Sequence, residues 1–190
     1  MTKGDLRKLY KQKRMALSRA ECQKMDQLIF EYLLSLDWSD CRYLHVYLPF
    51  GKFNEPDTSL LIEWIRTNYP HIHLVLSRSD IQQGTMTNYL WDEHTELVMN
   101  TWGILEPIAG KMLSEDLIDM VLVPLLIADK KGNRVGYGKG FYDRFLAQCR
   151  SDVRTIGLSY FEPVDHIEPV DPWDIALQYC VCPSGLYVFE

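Results

Sequence analysis

The stretch Ile118–Ile127 is apolar at nearly every position, so as a strand it has no polar face to turn toward water. Such a strand has to be covered on both faces, which calls for a central sheet with helices packed above and below it. The longest apolar run, Met120–Ala128, contains Pro124 and falls well short of the roughly 20 residues that span a bilayer.

The remaining sequence supplies the alternation such a sheet needs. Residues 3–17 combine Leu6, Leu9, Tyr10 and Leu17 with a basic stripe, Lys3, Arg7, Lys11 and Arg14, at helical spacing. A second helix is expected to start at Ser18-Arg-Ala-Glu21, a capping-box pattern, and to bury Met25, Leu28, Ile29, Tyr32, Leu33 and Leu36. Tyr43–Phe50 reads as a strand running into a loop with Gly51, Asn54 and Pro56, after which Asp57 or Thr58 caps a helix through about Asn68. Ile72–Arg78, Met86–Trp91 and Val153–Tyr160 read as strands, with a helix between about Gly140 and Cys149. A Pro- and Asp-rich loop, Glu162–Asp174, precedes two short strands, Gln178–Cys182 and Leu186–Phe189. The expected fold is a single α/β domain over residues 1–190: a three-layer sandwich whose mostly parallel or mixed central sheet is flanked by helices, preceded by an N-terminal helical pair.

A hydrophobic share of 47% over 190 residues is enough for a full core, and a formal charge of -6 argues against a partner of nucleic acid or anionic membrane. Five scattered cysteines and a basic, amphipathic start without an apolar centre predict a reduced, cytoplasmic protein with no secretory leader. No partner motif stands out on its acidic surface, and a monomer is expected. His71 with His73 and Cys180 with Cys182 fall in expected strands and read as β packing rather than zinc ligands.

The loop that follows the buried strand carries the chemistry. Gly136, Gly138 and Gly140 alternate between the cations Arg134 and Lys139, at the carboxyl end of a strand, where open α/β sheets bind ligands. Glycines permit positive φ and close backbone approach, and free amides before a helix start favour anions. The spacing fits neither a P-loop nor a dinucleotide fingerprint, so the residues alone indicate a phosphate-binding loop of uncommon type.

The run Arg134-Val-Gly-Tyr-Gly-Lys-Gly-Phe-Tyr-Asp143 resembles the signature of the 5-formyltetrahydrofolate cyclo-ligase family. Lys3-x-x-x-Arg7, Pro49–Glu55, Trp102–Pro107 and the region of Asp174 match the family in the same order. The resemblance implies ATP-dependent closure of 5-formyltetrahydrofolate to 5,10-methenyltetrahydrofolate, with ATP as co-substrate and Mg²⁺ as cofactor. It places Lys3, Arg7, Arg134, Val135, Gly136, Tyr137, Gly138, Lys139, Gly140, Phe141 and Tyr142 against ATP, with Arg134, Lys139 and Tyr142 acting in catalysis. Glu55 would bind the folate, Phe50, Trp102, Tyr137 and Tyr142 would line its pocket, and Asp143 and Asp174 would hold the metal. At Asp174 the chain departs from the family pattern, because the residue before it is Trp173 rather than a histidine or another polar residue. Arg14 receives no role.

Overall fold

The computed structural model describes residues 1–189. Helices α1 (Lys3–Met15) and α2 (Arg19–Leu33) open the chain, each started by a complete capping box: Thr2 with Asp5, and Ser18 with Glu21. Strand β1 (Tyr43–His45), helix α3 (Ser59–Asn68), β2 (His73–Asp80) and β3 (Thr85–Leu90) follow. Then come the short strands β4 (Leu97–Met99), β5 (Leu105–Pro107) and β6 (Met112–Leu113). The second half contains β7 (Met120–Pro124), β8 (Ile127–Ala128), β9 (Arg134–Val135), α4 (Phe141–Leu146), β10 (Arg154–Leu158), β11 (Tyr179–Cys182) and β12 (Gly185–Val188).

Eight strands form one mixed sheet in the order β12-β11-β10-β7-β1-β2-β3-β6. The five from β11 to β2 are parallel, and β12, β3 and β6 join antiparallel at the two ends. Alternate residues serve opposite faces, as strand geometry requires. Leu44, Leu74, Leu76, Met120, Leu122, Ile156 and Leu158 pack with residues of α2 and α3 on one side. Val75, Val121, Val123 and Cys180 pack with Phe145 and Leu146 of α4 on the other. These are the three layers that the apolar Ile118–Ile127 run demanded. Helix α1 stands apart at the end of the sheet, where Leu6 and Tyr10 cover the β8–β9 hairpin through Leu126, Ile127 and Val135.

Several boundaries differ from the sequence expectation for physical reasons. The ladder of β1 ends with the Val46 amide on the Val75 carbonyl; beyond it the Tyr47 carbonyl turns to the Thr58 hydroxyl, and Pro49 has no amide to offer. Ile118–Ile127 divides, because after Pro124 the chain leaves the main sheet and its Leu126 amide donates to the Val135 carbonyl. Helix α4 ends at Leu146, although tightened i to i+3 bonds at Gln148 and Cys149 carry the turn to the expected position. The β4–β5 hairpin and β6 were not foreseen; they are only two or three residues long, too short to leave a periodic pattern to read. Among the described residues, no helix is long and apolar enough to cross a membrane.

Strand order reverses between β1 and β7: the chain leaves β1 toward β2 on one side and β7 toward β10 on the other. The crevice at the carboxyl ends of that pair is therefore open to a ligand. Its walls are the loop 46–58 after β1 and the segment 125–140 after β7.

The first of these walls is pinned to α2 by a buried acid. Asp26 Oδ1 accepts from the Asp57 amide at 3.0 Å and from the Tyr160 hydroxyl at 2.7 Å. Burial raises its pKa above the usual carboxylate value despite both hydrogen bonds. A carboxyl whose folded pKa lies above its unfolded one contributes full stability below the unfolded value and loses it as pH rises through the folded value. Asp26→Asn keeps the same acceptor oxygen without the charge, so its Tm should exceed that of the parent at pH 7 and converge with it near pH 3; a lower Tm at pH 7 would contradict this account.

Candidate functional site

The crevice holds a cavity of about 1140 Å³, larger than the roughly 300–1,000 Å³ that encloses one drug-sized ligand. All the sequence-derived site residues line it: Lys3, Arg7, Phe50, Glu55, Trp102, the run Arg134–Asp143, and Asp174. One cavity thus gathers the whole set.

One wall is the glycine loop. The amides of residues 136–140 donate to no protein acceptor among the described residues, while two of the loop's carbonyls are held by arginine side chains. Arg7 Nε donates to the Gly136 carbonyl at 2.9 Å, and Arg144 Nη2 donates to the Lys139 carbonyl at 2.7 Å. With the carbonyls engaged by guanidinium groups, successive free N–H groups remain as an anion-binding concavity. Gly138 and Gly140 have φ of 85° and 66°, whereas Gly136 does not adopt positive φ, which corrects the expectation for all three glycines.

The cations around this loop are restrained. Arg134 is nearly buried; it donates to Asp143 Oδ1 at 2.6 Å and to the Ile175 carbonyl. Burial lowers its pKa, and the carboxylates of Asp143 and Asp174 oppose that effect. Lys3 reaches Asp171 at 3.1 Å and also contacts Asp174. Burial pulls its ammonium down, but the two carboxylates outweigh it and the net shift is upward. Lys139 Nζ lies 5.9 Å from the Trp102 ring centroid.

The facing wall is built around Glu55. Its Oε2 accepts from the Phe50 amide at 2.7 Å, and its Oε1 accepts from the Tyr137 hydroxyl. The carboxylate is buried, and desolvation raises its pKa against the pull of Tyr137, Phe50 and Arg14. Each oxygen keeps a lone pair for an incoming donor. Phe50, Phe53 and Tyr137 form an aromatic series, with Phe50 and Phe53 edge to face at 4.6 Å and Phe53 stacked on Tyr137 at 5.4 Å. Tyr142 packs against His45 and Phe145, and burial holds its phenol well above the ordinary value. It therefore stays protonated at neutral pH.

Three site features escaped the sequence reading. Asp171 shares Lys3 with Asp174 and stood undistinguished in an acidic loop. Asp129, completely buried, accepts from the amides of Lys131, Asn133 and Ile167 and so shapes the turn before the glycine loop. Arg14 is buried beneath the site, and its signal was its position: it extends the buried row Leu6, Tyr10 at i+4.

The two positive-φ glycines make a testable contrast with Gly136. A Cβ at Gly138 would lie 2.9 Å from Arg7 Cζ in a left-handed conformation, whereas one at Gly136 meets nothing within 4 Å. Gly138→Ala should cost about 1–2 kcal/mol of unfolding free energy, measured by urea titration. Gly136→Ala should stay within about 0.5 kcal/mol of the parent, and equal losses at both positions would contradict the conformational argument.

Residues 1–183 match the model of the 5-formyltetrahydrofolate cyclo-ligase family. The 5-formyltetrahydrofolate cyclo-ligase of Mycoplasma pneumoniae is 32% identical over 95% of this chain and 98% of its own length. The protein of that name from Escherichia coli K12 is 29% identical, covering 94% and 99%. The fold is similar to the NMR structure of Aquifex aeolicus 5,10-methenyltetrahydrofolate synthetase, with a TM-score of 0.84 and 26% identity over 100% of this chain and 94% of that one. The cavity's glycine loop and buried glutamate thus lie inside a match that runs through nearly the whole sequence, and the chain belongs to the 5-formyltetrahydrofolate cyclo-ligase family.

Proposed function

We propose that this protein, acting as one domain, uses ATP to close 5-formyltetrahydrofolate into 5,10-methenyltetrahydrofolate, releasing ADP and phosphate. The observation that carries the proposal is a single cavity lined by both a loop of free amides and a buried carboxylate. The first suits a polyphosphate, and the second suits a ring that presents paired N–H donors.

The formyl group on N5 is amide-like, and its oxygen leaves poorly. Transfer of the γ-phosphoryl group to that oxygen makes it a phosphate leaving group. N10 then attacks the formyl carbon and gives up its proton, the C–O bond breaks, and phosphate departs with the oxygen. The protein need supply no nucleophile; its work is alignment and neutralisation of charge. Lys3, Arg7, Arg134 and Lys139, with the backbone from Val135 to Tyr142, surround the phosphates. Glu55 accepts from the pterin's amide and amine, between Phe50, Trp102 and Tyr137. Tyr142, which lines the cavity and keeps its hydroxyl protonated, supplies a hydrogen bond toward the formyl or phosphoryl oxygen.

Asp143 and Asp174 fit a Mg²⁺ site: the hydrogen bonds at Asp143 converge on Oδ1 and those at Asp174 on Oδ2, which leaves each carboxylate one oxygen. Mg²⁺ commonly takes one or two protein carboxylates and fills its shell with water and phosphate oxygens, so no larger protein cluster is required. When bound, the ion would neutralise charge on the phosphates.

Purified protein should generate the methenyl absorbance from 5-formyltetrahydrofolate with ATP and Mg²⁺, and unchanged absorbance at saturating substrates would remove this reading. Glu55→Gln should raise KM for the folate roughly 10-fold or more, as expected for loss of a charge-assisted hydrogen bond, and leave KM for ATP nearly unchanged. Equal effects on both substrates would count against the assignment of Glu55.

A further inference from the structure

Arg14 is 1% exposed, yet it forms no ion pair with any carboxylate among the described residues. Its guanidinium instead binds one group from each of three parts of the site. Nε donates to the Phe53 carbonyl at 2.7 Å, Nη1 to the Leu125 carbonyl at 3.0 Å, and Nη2 to the Tyr137 hydroxyl. Its own carbonyl accepts from the Asn54 side chain at 3.1 Å. Phe53 and Asn54 lie immediately before Glu55, Leu125 follows β7, and Tyr137 belongs to the glycine loop.

The direction of these hydrogen bonds is fixed by chemistry. A guanidinium only donates, so the Tyr137 oxygen must present a lone pair to Arg14 and turn its single proton elsewhere. The acceptor within reach is Glu55 Oε1. The phenol therefore works as a one-way connector, carrying the pull of a buried cation to a buried carboxylate without direct contact.

We propose that Arg14 is a positioning residue for the folate subsite: through Tyr137 it orients Glu55 and favours its ionised form, coupling the glycine loop to the carboxylate that receives the pterin. This rests on the function proposed above and adds a residue to which the family resemblance gave no part. The groups facing Glu55 are Arg14 from α1, Tyr137 from the glycine loop, and Tyr47 and Tyr142, and the arginine is the one cation among them. Burial already raises the Glu55 pKa, so removing the Arg14–Tyr137 contact raises it further and leaves less carboxylate to bind the substrate near neutral pH.

The test is the pH dependence of kcat/KM for 5-formyltetrahydrofolate at saturating ATP, in the parent, Tyr137→Phe, Arg14→Met and the double variant. Tyr137→Phe keeps the ring on Phe53 and removes only the hydroxyl, so it carries the test if Arg14→Met does not fold. Each single variant should lower kcat/KM roughly 10- to 100-fold near pH 7, the range for a lost hydrogen bond to a charged group. Its acid limb should move to higher pH while KM for ATP stays nearly unchanged. The double variant should resemble the weaker single variant, because both changes cut one connection. An acid limb that stays in place in a folded variant, or fully additive losses, would overturn the role of Arg14 and leave the activity standing. Absence of turnover in the parent would overturn both.

Discussion

The reversal of strand order between β1 and β7 sets the problem that the rest of the molecule solves. It opens a crevice at the carboxyl ends of the strands, but the two segments bordering it can no longer be held by the sheet's own ladder. Loops without ladder partners must be fixed from outside, and α1 does most of this. Lys3 reaches the 171–174 segment, Arg7 the Gly136 carbonyl, and Arg14 the carbonyls of Phe53 and Leu125. One helix, packed by Leu6 and Tyr10 over the β8–β9 hairpin, therefore sets the relative positions of the cavity's walls.

Such fixing carries electrostatic costs, and the site distributes them. Burying a guanidinium or a carboxylate is expensive unless hydrogen bonds replace its water. Arg14 obtains that replacement from two carbonyls and a phenol, and Arg134 from Asp143 and a carbonyl. Glu55 obtains it from the Phe50 amide and the Tyr137 hydroxyl, and burial still raises its pKa, as it lowers that of Arg134. Although the chain's formal charge is -6, Arg7, Arg134 and Lys139 gather at the crevice.

The sequence disclosed the elements whose signals are periodic or locally self-sufficient. The Ser18 capping box, the apolar run through β7, and the glycine loop each contain their own reason for folding as they do. The residues brought into one cavity were also readable, because Arg134–Asp143 carries an unusual pattern and Glu55, Trp102 and Asp174 follow it in family order. Interactions that depend on tertiary direction were not readable. Arg14 looked like one more cation on a basic stripe, since the same spacing that aligns it with Arg7 and Lys11 also extends the buried row through Tyr10. Asp26 looked like a polar position on an amphipathic helix until Tyr160, 134 residues away, was found against it. Short strands such as β4 and β5 depend on each other rather than on an internal pattern, and only the fold reveals the pairing.

These long-range contacts explain why a chain with a marginal excess of stability would keep buried charge near its site. The segment carrying Glu55 is clamped at both ends by the N-terminal helices. Arg14 and the Asn54 bonds to the carbonyls of Arg14 and Leu17 hold its approach, and Asp26 holds the Asp57 amide just beyond it. Apolar substitutes could fill the same volume with less desolvation cost, but dispersion contacts do not specify the direction in which a carboxylate points. Directional hydrogen bonds from buried ions impose that orientation before the ligand arrives. On this reasoning Arg14 of α1 and Asp26 of α2 hold the two ends of the Glu55 segment, and the desolvation that accompanies this arrangement raises the pKa of both Asp26 and Glu55.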